Sequence, residues 1–66
     1  MELTAAITHE GSLFVARCLE VDVTSQGGSM DDALDNLKEA LSLFFEDENE
    51  PFDLKHPIVT TFQLSA

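Results

Sequence analysis

Leu3, Ala5 and Ile7 alternate with Thr4, Ala6 and Thr8, a period of two in residues that tolerate a pleated backbone. Such alternation predicts a half-buried strand. Leu13 to Cys18 predicts a second, and His9-Glu10-Gly11-Ser12 between them fits a tight hairpin turn. With Glu10-Gly11 as a two-residue loop, Ile7 faces Phe14, Ala5 faces Ala16 and Leu3 faces Cys18 on one side of the ribbon. Thr8 with Leu13, Ala6 with Val15 and Thr4 with Arg17 share the other side. Only the first side is free of charge, which assigns it to the core.

Val21 to Gln26 holds β-branched residues and runs into Gly27-Gly28, predicting a short third strand ended by a turn. Ser29 followed three residues later by Asp32 resembles a capping box with Asp in place of Glu, and it predicts a helix from about Met30 to Glu46. On a 3.6-residue period Met30, Ala33, Leu34, Leu37, Ala40, Leu41 and Phe44 form one apolar stripe. Asp32, Asp35, Glu39 and Glu46 fall opposite it. The charged run through Pro51 then reads as a helix exit and solvated loop. Pro57 to Leu64 alternates again, with Ile58, Thr60, Phe62 and Leu64 on one face and Val59, Thr61 and Gln63 on the other, which predicts a fourth strand.

The predicted order is therefore β-β-β-α-β over a single domain, residues 1–66. The handedness of parallel crossovers restricts how the last strand can join. Placing it beside the first gives a mostly antiparallel four-stranded sheet of order 3-2-1-4 with one helix on one face, an α+β two-layer sandwich.

Composition narrows the function. Thirteen Asp and Glu against three Lys and Arg give a formal net charge of -10, and the pI is near 4.1. That balance disfavours contact with phosphates or anionic lipid, so direct nucleic-acid or membrane binding is not expected. Met1 to His9 has no basic leader pattern and no apolar run approaches a membrane span, so a cytoplasmic protein with a reduced Cys18 is expected. A chain of 66 residues buries only about 60% of the surface its unfolded form exposes. One cysteine allows no internal disulfide and the two histidines lack zinc spacing, leaving self-association as the source of extra stability. With one sheet face uncovered, Leu13, Val15 and Val59 are expected oligomer contacts, and Leu43, which the helical wheel places on the acidic outer side beside Asp32 and Glu39, is a fourth.

Phe14-Val15-Ala16-Arg17-Cys18-Leu19-Glu20, then Thr24-Ser25-Gln26-Gly27, then Ser29-Met30-Asp31-Asp32-Ala33-Leu34-Asp35-Asn36-Leu37-Lys38-Glu39-Ala40-Leu41 together resemble the HicB antitoxin family. In that family an aromatic-Val-Ala strand leads into a Ser-Gln-Gly turn, followed by a helix carrying Asp/Glu-Ala-Leu and Asn-Leu-Lys-Glu-Ala. The resemblance spans nearly the whole chain and implies a partial RNase H-like fold. It implies an antitoxin that binds and neutralises a small basic HicA-type toxin, an mRNA-cleaving ribonuclease. Two departures stand out. No helix-turn-helix or ribbon-helix-helix module follows the fourth strand beyond Ser65-Ala66, and Leu19-Glu20-Val21-Asp22-Val23 replaces the Pro-Gly common before the third strand. They fit a short form without its own DNA-binding module, or a solitary oligomeric relative without a toxin. An enzyme subunit with a site between chains is the third alternative.

The candidate partner-binding residues are the helix acids Asp32, Asp35 and Glu39 together with Glu46, Asp47, Glu48 and Glu50. No catalytic, metal or cofactor residue is assigned. A two-metal nuclease needs converging carboxylates, and Thr4 to Thr8 contains none. Cys18 reads as a small core residue, and His9 and His56 read as exposed loop residues. The stretch Glu46 to Asp53 lacks the central glycine and ligand spacing of a calcium loop. Gly27-Gly28 reads as a turn, since Asp31 and Asp32 would repel a phosphate at the helix start.

Overall fold

The computed structural model describes residues 2–47 and 55–65. Its elements are β1 (Ala5–Glu10), β2 (Leu13–Cys18), β3 (Thr24–Gly27) and α1 (Met30–Asp47). The three strands form an antiparallel sheet in the order β1-β2-β3, and α1 packs on one face of it. The architecture is α+β.

The β1–β2 hairpin forms as expected but with its loop one residue later, at Gly11-Ser12. Glu10 pairs with Leu13, Ile7 with Ala16 and Ala5 with Cys18, rather than Ile7 with Phe14 and Leu3 with Cys18. Gly11 has φ 65° and no non-glycine residue among those described has positive φ, so the glycine takes the first loop position. Putting Glu10 there would force a side-chain-bearing residue toward the left-handed region, at roughly 1–2 kcal/mol. Moving the loop by one residue slips the pairing by two. An even slip leaves every side chain on its predicted face, which is why Ala16 and Cys18 are still the buried strand residues. His9 belongs to β1 rather than to the turn, and its ring stacks on that of its cross-strand partner Phe14 with centroids 4.2 Å apart.

β3 is shorter than the sequence suggests. Residues 19–23 form the connection, in which the Val23 N–H donates to the Val21 carbonyl at 2.9 Å and the Cys18 N–H to the Val23 carbonyl at 2.9 Å. The Val23 N–H is thereby turned away from the ladder, while the Cys18-to-Val23 bond extends the β2–β3 register by one last link.

α1 starts where its cap places it. The Asp32 N–H donates to Ser29 Oγ at 3.0 Å, satisfying one of the orphan donors of the first turn. Of the predicted stripe, Ala33, Leu37 and Leu41 are buried, Leu34, Ala40 and Phe44 half-buried, and Met30 exposed at the N-terminal end. Phe45 also packs against the core. With Ala16 and Cys18 from β2, the three buried helix residues make the core, and Leu3, Ile7, Phe14, Val21 and Val23 pack around it.

The helix can lie this close because small residues line the contact. A Cβ added at Gly27 would stand 2.6 Å from the Ala33 amide nitrogen and 2.8 Å from the Asp32 carbonyl carbon. Asn36 adds a polar tie, its Nδ2 donating to the Gln26 carbonyl at 2.8 Å. Gly27 is thus a site of close approach between backbones rather than a turn residue. α1 runs over β3 and β2 and leaves β1 largely uncovered.

Among the described residues the sheet has three strands, and neither the predicted fourth strand nor the order 3-2-1-4 is seen. Residues 55–65 carry no strand, and Ile58, Val59, Phe62 and Leu64 are 92%, 70%, 86% and 85% exposed. The alternating pattern that predicts a strand requires a sheet edge to complete it, and here it meets none.

Gly27→Ala forces helix backbone away from the sheet and should cost roughly 1–3 kcal/mol, as overpacking a close contact does. Gly28→Ala, where nothing lies within 4 Å of the added atom, should be close to neutral. Thermal unfolding followed by circular dichroism separates the two.

Candidate functional site

Asp32, Asp35, Glu39 and Glu46 are all exposed on the side of α1 that faces away from the sheet. At 100° per residue they fall within an arc of about 60°, and at 1.5 Å rise they span about 21 Å. The arrangement follows from the burial of Ala33, Leu37 and Leu41, which fixes the rotation of the helix about its axis. Lys38 is the only cation on α1, and it stands at the rim of a cleft on the other side. The acidic stripe has no cation within it. Asp35 and Glu39, one turn apart, repel each other by roughly 0.2–0.5 kcal/mol, an unfavourable interaction that a cationic partner would reverse. Asp47 closes the helix; Glu48 and Glu50 lie outside the described residues, as does most of the predicted acidic loop.

Leu13 and Leu43 are 38% and 57% exposed and Val15 is half-buried. Leu13 and Val15 stand on the sheet face that α1 does not cover, among Thr8, Arg17, Thr24 and Gln26. Leu43 borders the acidic stripe of α1, as the helical wheel predicts, on a different side of the molecule from Leu13 and Val15. Val59 lies in the separate C-terminal segment.

A second feature escapes the linear pattern. Glu20, in the β2–β3 connection, is buried yet fully engaged. Its Oε1 accepts the Thr4 N–H at 2.7 Å and its Oε2 accepts the Thr4 hydroxyl at 2.7 Å, with the Cys18 thiol 3.5 Å from Oε1. These bonds, the Thr4 amide first, hold the carboxyl below the usual glutamate range despite its desolvation. The Leu19 N–H donates to the Thr4 carbonyl at 3.0 Å, and the Glu20 carbonyl accepts the Lys55 N–H at 3.1 Å. Glu20 therefore joins the entry to β1, the end of β2 and the start of the C-terminal segment. The expected Leu3–Cys18 pairing conceals it, because Thr4 comes opposite Leu19 and beside Glu20 only in the pairing that is observed.

Next to this junction an open, mainly apolar cleft of about 250 Å³ lies between the start of β1 and α1, lined by Leu3, Ala5, Leu34, Leu37 and Leu41 among others. Lys38 is the one charged residue in its lining. Cys18 is buried at its floor, 2% exposed, as expected of a small core residue. Among the described residues no three His, Cys, Asp or Glu gather as a metal site, and no helix is long and apolar enough to cross a membrane. Arg17 and Asp22 approach to 4.0 Å, both highly exposed, a contact that contributes little in water.

Comparison of the chain with family models, with curated proteins and with solved structures gives no match.

The Glu20 junction has a pH signature. Because the folded pKa is below the unfolded value of about 4.3, its stabilisation is complete above that value and lost as pH falls through the folded pKa. Acid titration of stability should therefore steepen below about pH 4.3 in the native chain, and Glu20→Gln should remove that component while lowering stability at neutral pH. An acid profile unaltered by Glu20→Gln would refute the junction's role.

Proposed function

We propose that the chain is a HicB-like binding module that neutralises a small basic mRNA-cleaving toxin of the HicA type, and that it is not itself an enzyme. The observation that carries this reading is the outward acidic stripe Asp32, Asp35, Glu39 and Glu46 on a helix whose opposite face is committed to the core. A ribonuclease that grips RNA must present cations to phosphates, and a rigid row of carboxylates offers the same charge pattern at protein-determined spacing. The net charge of -10 supports steering of such a partner. Asp47, Glu48 and Glu50 extend the same charge in sequence beyond the stripe.

The resemblance to the HicB family adds the partner class and a strand at the free edge of β1, the fourth place in the order 3-2-1-4. A second reading, a solitary oligomeric domain without a toxin, is favoured by the exposed Ile58, Phe62 and Leu64 beyond the helix. In either case the protein is a homo-oligomer acting in the cytoplasm, with no cofactor.

The test is inhibition of a purified HicA-type ribonuclease. The native chain should suppress RNA cleavage at equimolar ratio and cleave no RNA itself with magnesium or manganese. Asp32→Asn, Asp35→Asn, Glu39→Gln and Glu46→Gln combined should slow association by at least about tenfold at low salt and by much less at high salt, where the Debye length shrinks from about 8 Å toward 3 Å. Undiminished ribonuclease activity under a saturating excess of the native chain would contradict the proposal.

A further inference from the structure

We propose that the C-terminal arm, residues 57–64, of a second copy of this chain adds as a strand to the free edge of β1, and that the exchange is reciprocal across a two-fold axis. Four observations carry this, and none depends on the antitoxin reading.

β1 pairs only with β2, so its other edge has no strand partner among the described residues. Unpaired strand edges are templates for strand addition unless charge, proline or a covering element blunts them. β1 has neither Pro nor Lys along its length, and its single charge, Glu10, sits at the hairpin end.

The arm has the pattern a strand needs. Ile58, Thr60, Phe62 and Leu64 share one face at a period of two, and Ile58, Phe62 and Leu64 are 85% exposed or more. Isolated apolar side chains on a surface are ordinary, but a full strand face in water has a cost that pairing removes.

Beside the β1 edge lies the apolar cleft of about 250 Å³ between Leu3, Ala5 and the helix leucines. Ala5 is small, so a large side chain from a neighbouring strand can reach past it toward Leu34 and Leu41. The apolar face of the arm supplies such side chains.

The exit geometry points to a second copy rather than to the arm's own body. Lys55 is tied to the Glu20 carbonyl, next to Thr4 and thus at the start of β1. His56 precedes Pro57, a position biased to extended backbone, and beyond it the arm makes no strand with its own sheet and keeps Ile58, Phe62 and Leu64 at least 85% exposed. The Cα radius of gyration is 13.8 Å, against about 11 Å for a compact chain of this length. Because each arm leaves its body at the end of the sheet where β1 begins and β2 ends, two copies related by a two-fold axis can exchange arms along their free β1 edges, the geometry of a swapped dimer.

Light scattering on the full chain should give twice 7.3 kDa. Thr60→Pro with Phe62→Asp, both on residues exposed in the single copy, should halve that mass. In a dimer refolded from isotope-labelled and unlabelled chains, filtered nuclear Overhauser spectra should show Ile58 and Phe62 of one copy against Ala5 and Ile7 of the other. A native mass of 7.3 kDa, a dimer that survives the double substitution, or arm contacts confined to the same copy would each overturn the proposal.

Discussion

Backbone-to-backbone contact between the first turn of α1 and the end of β3 sets the geometry of the molecule. Gly27 has no Cβ because the Ala33 amide and the Asp32 carbonyl carbon occupy the space one would need. Ala16 and Ala33, both wholly buried, continue the same principle into the core. With small residues at the crossing, Leu37 and Leu41 can reach the sheet in relaxed positions, each contributing roughly 1.5–3 kcal/mol by leaving water. Larger residues at these positions would lift the helix and leave voids around both leucines.

Two consequences follow from that contact. Once Ala33, Leu37 and Leu41 face inward, helical periodicity alone turns Asp32, Asp35, Glu39 and Glu46 outward as a row. A helix anchored over β3 and β2 also leaves β1 exposed on its outer edge, with a cleft between that edge and the helix. The acidic row and the open edge are products of one packing decision. They lie on different sides of the molecule, so a basic partner on the helix and a second copy at the edge need not compete. Glu20 acts at the start of β1, where it fixes the point from which the C-terminal segment departs.

Local pattern made the elements legible, and non-local pairing limited what else could be read. Alternation identified β1 and β2, and Ser29 with the apolar stripe identified α1 to within a residue at its end. The hairpin register was misread because Glu10-Gly11 and Gly11-Ser12 both look like turns, and only the requirement for positive φ at the first loop position separates them. The error preserved the faces and so left Ala16 and Cys18 correctly inside, but it hid Thr4 beside Glu20. Nothing in the sequence around Glu20 marks a buried carboxylate, since its partner is sixteen residues away. The acids Asp32, Asp35, Glu39 and Glu46 were legible for the opposite reason, as exposure on a helix follows from local spacing. Pro57 to Leu64 shows where pattern stops: alternation describes what a segment can pair with and is silent on whether the partner lies in the same chain.

The central claim is that the outward face of α1 is the surface that meets a basic partner. Chemical-shift mapping of the isotope-labelled chain during titration with a purified HicA-type ribonuclease tests it most directly. The account predicts that the largest changes fall on Asp32, Asp35, Glu39 and Glu46 and their helix neighbours, with Ala16, Cys18 and Leu37 nearly unmoved. Changes concentrated on Leu13, Val15 and Arg17 of the open sheet face, with the helix acids unaffected, would contradict it.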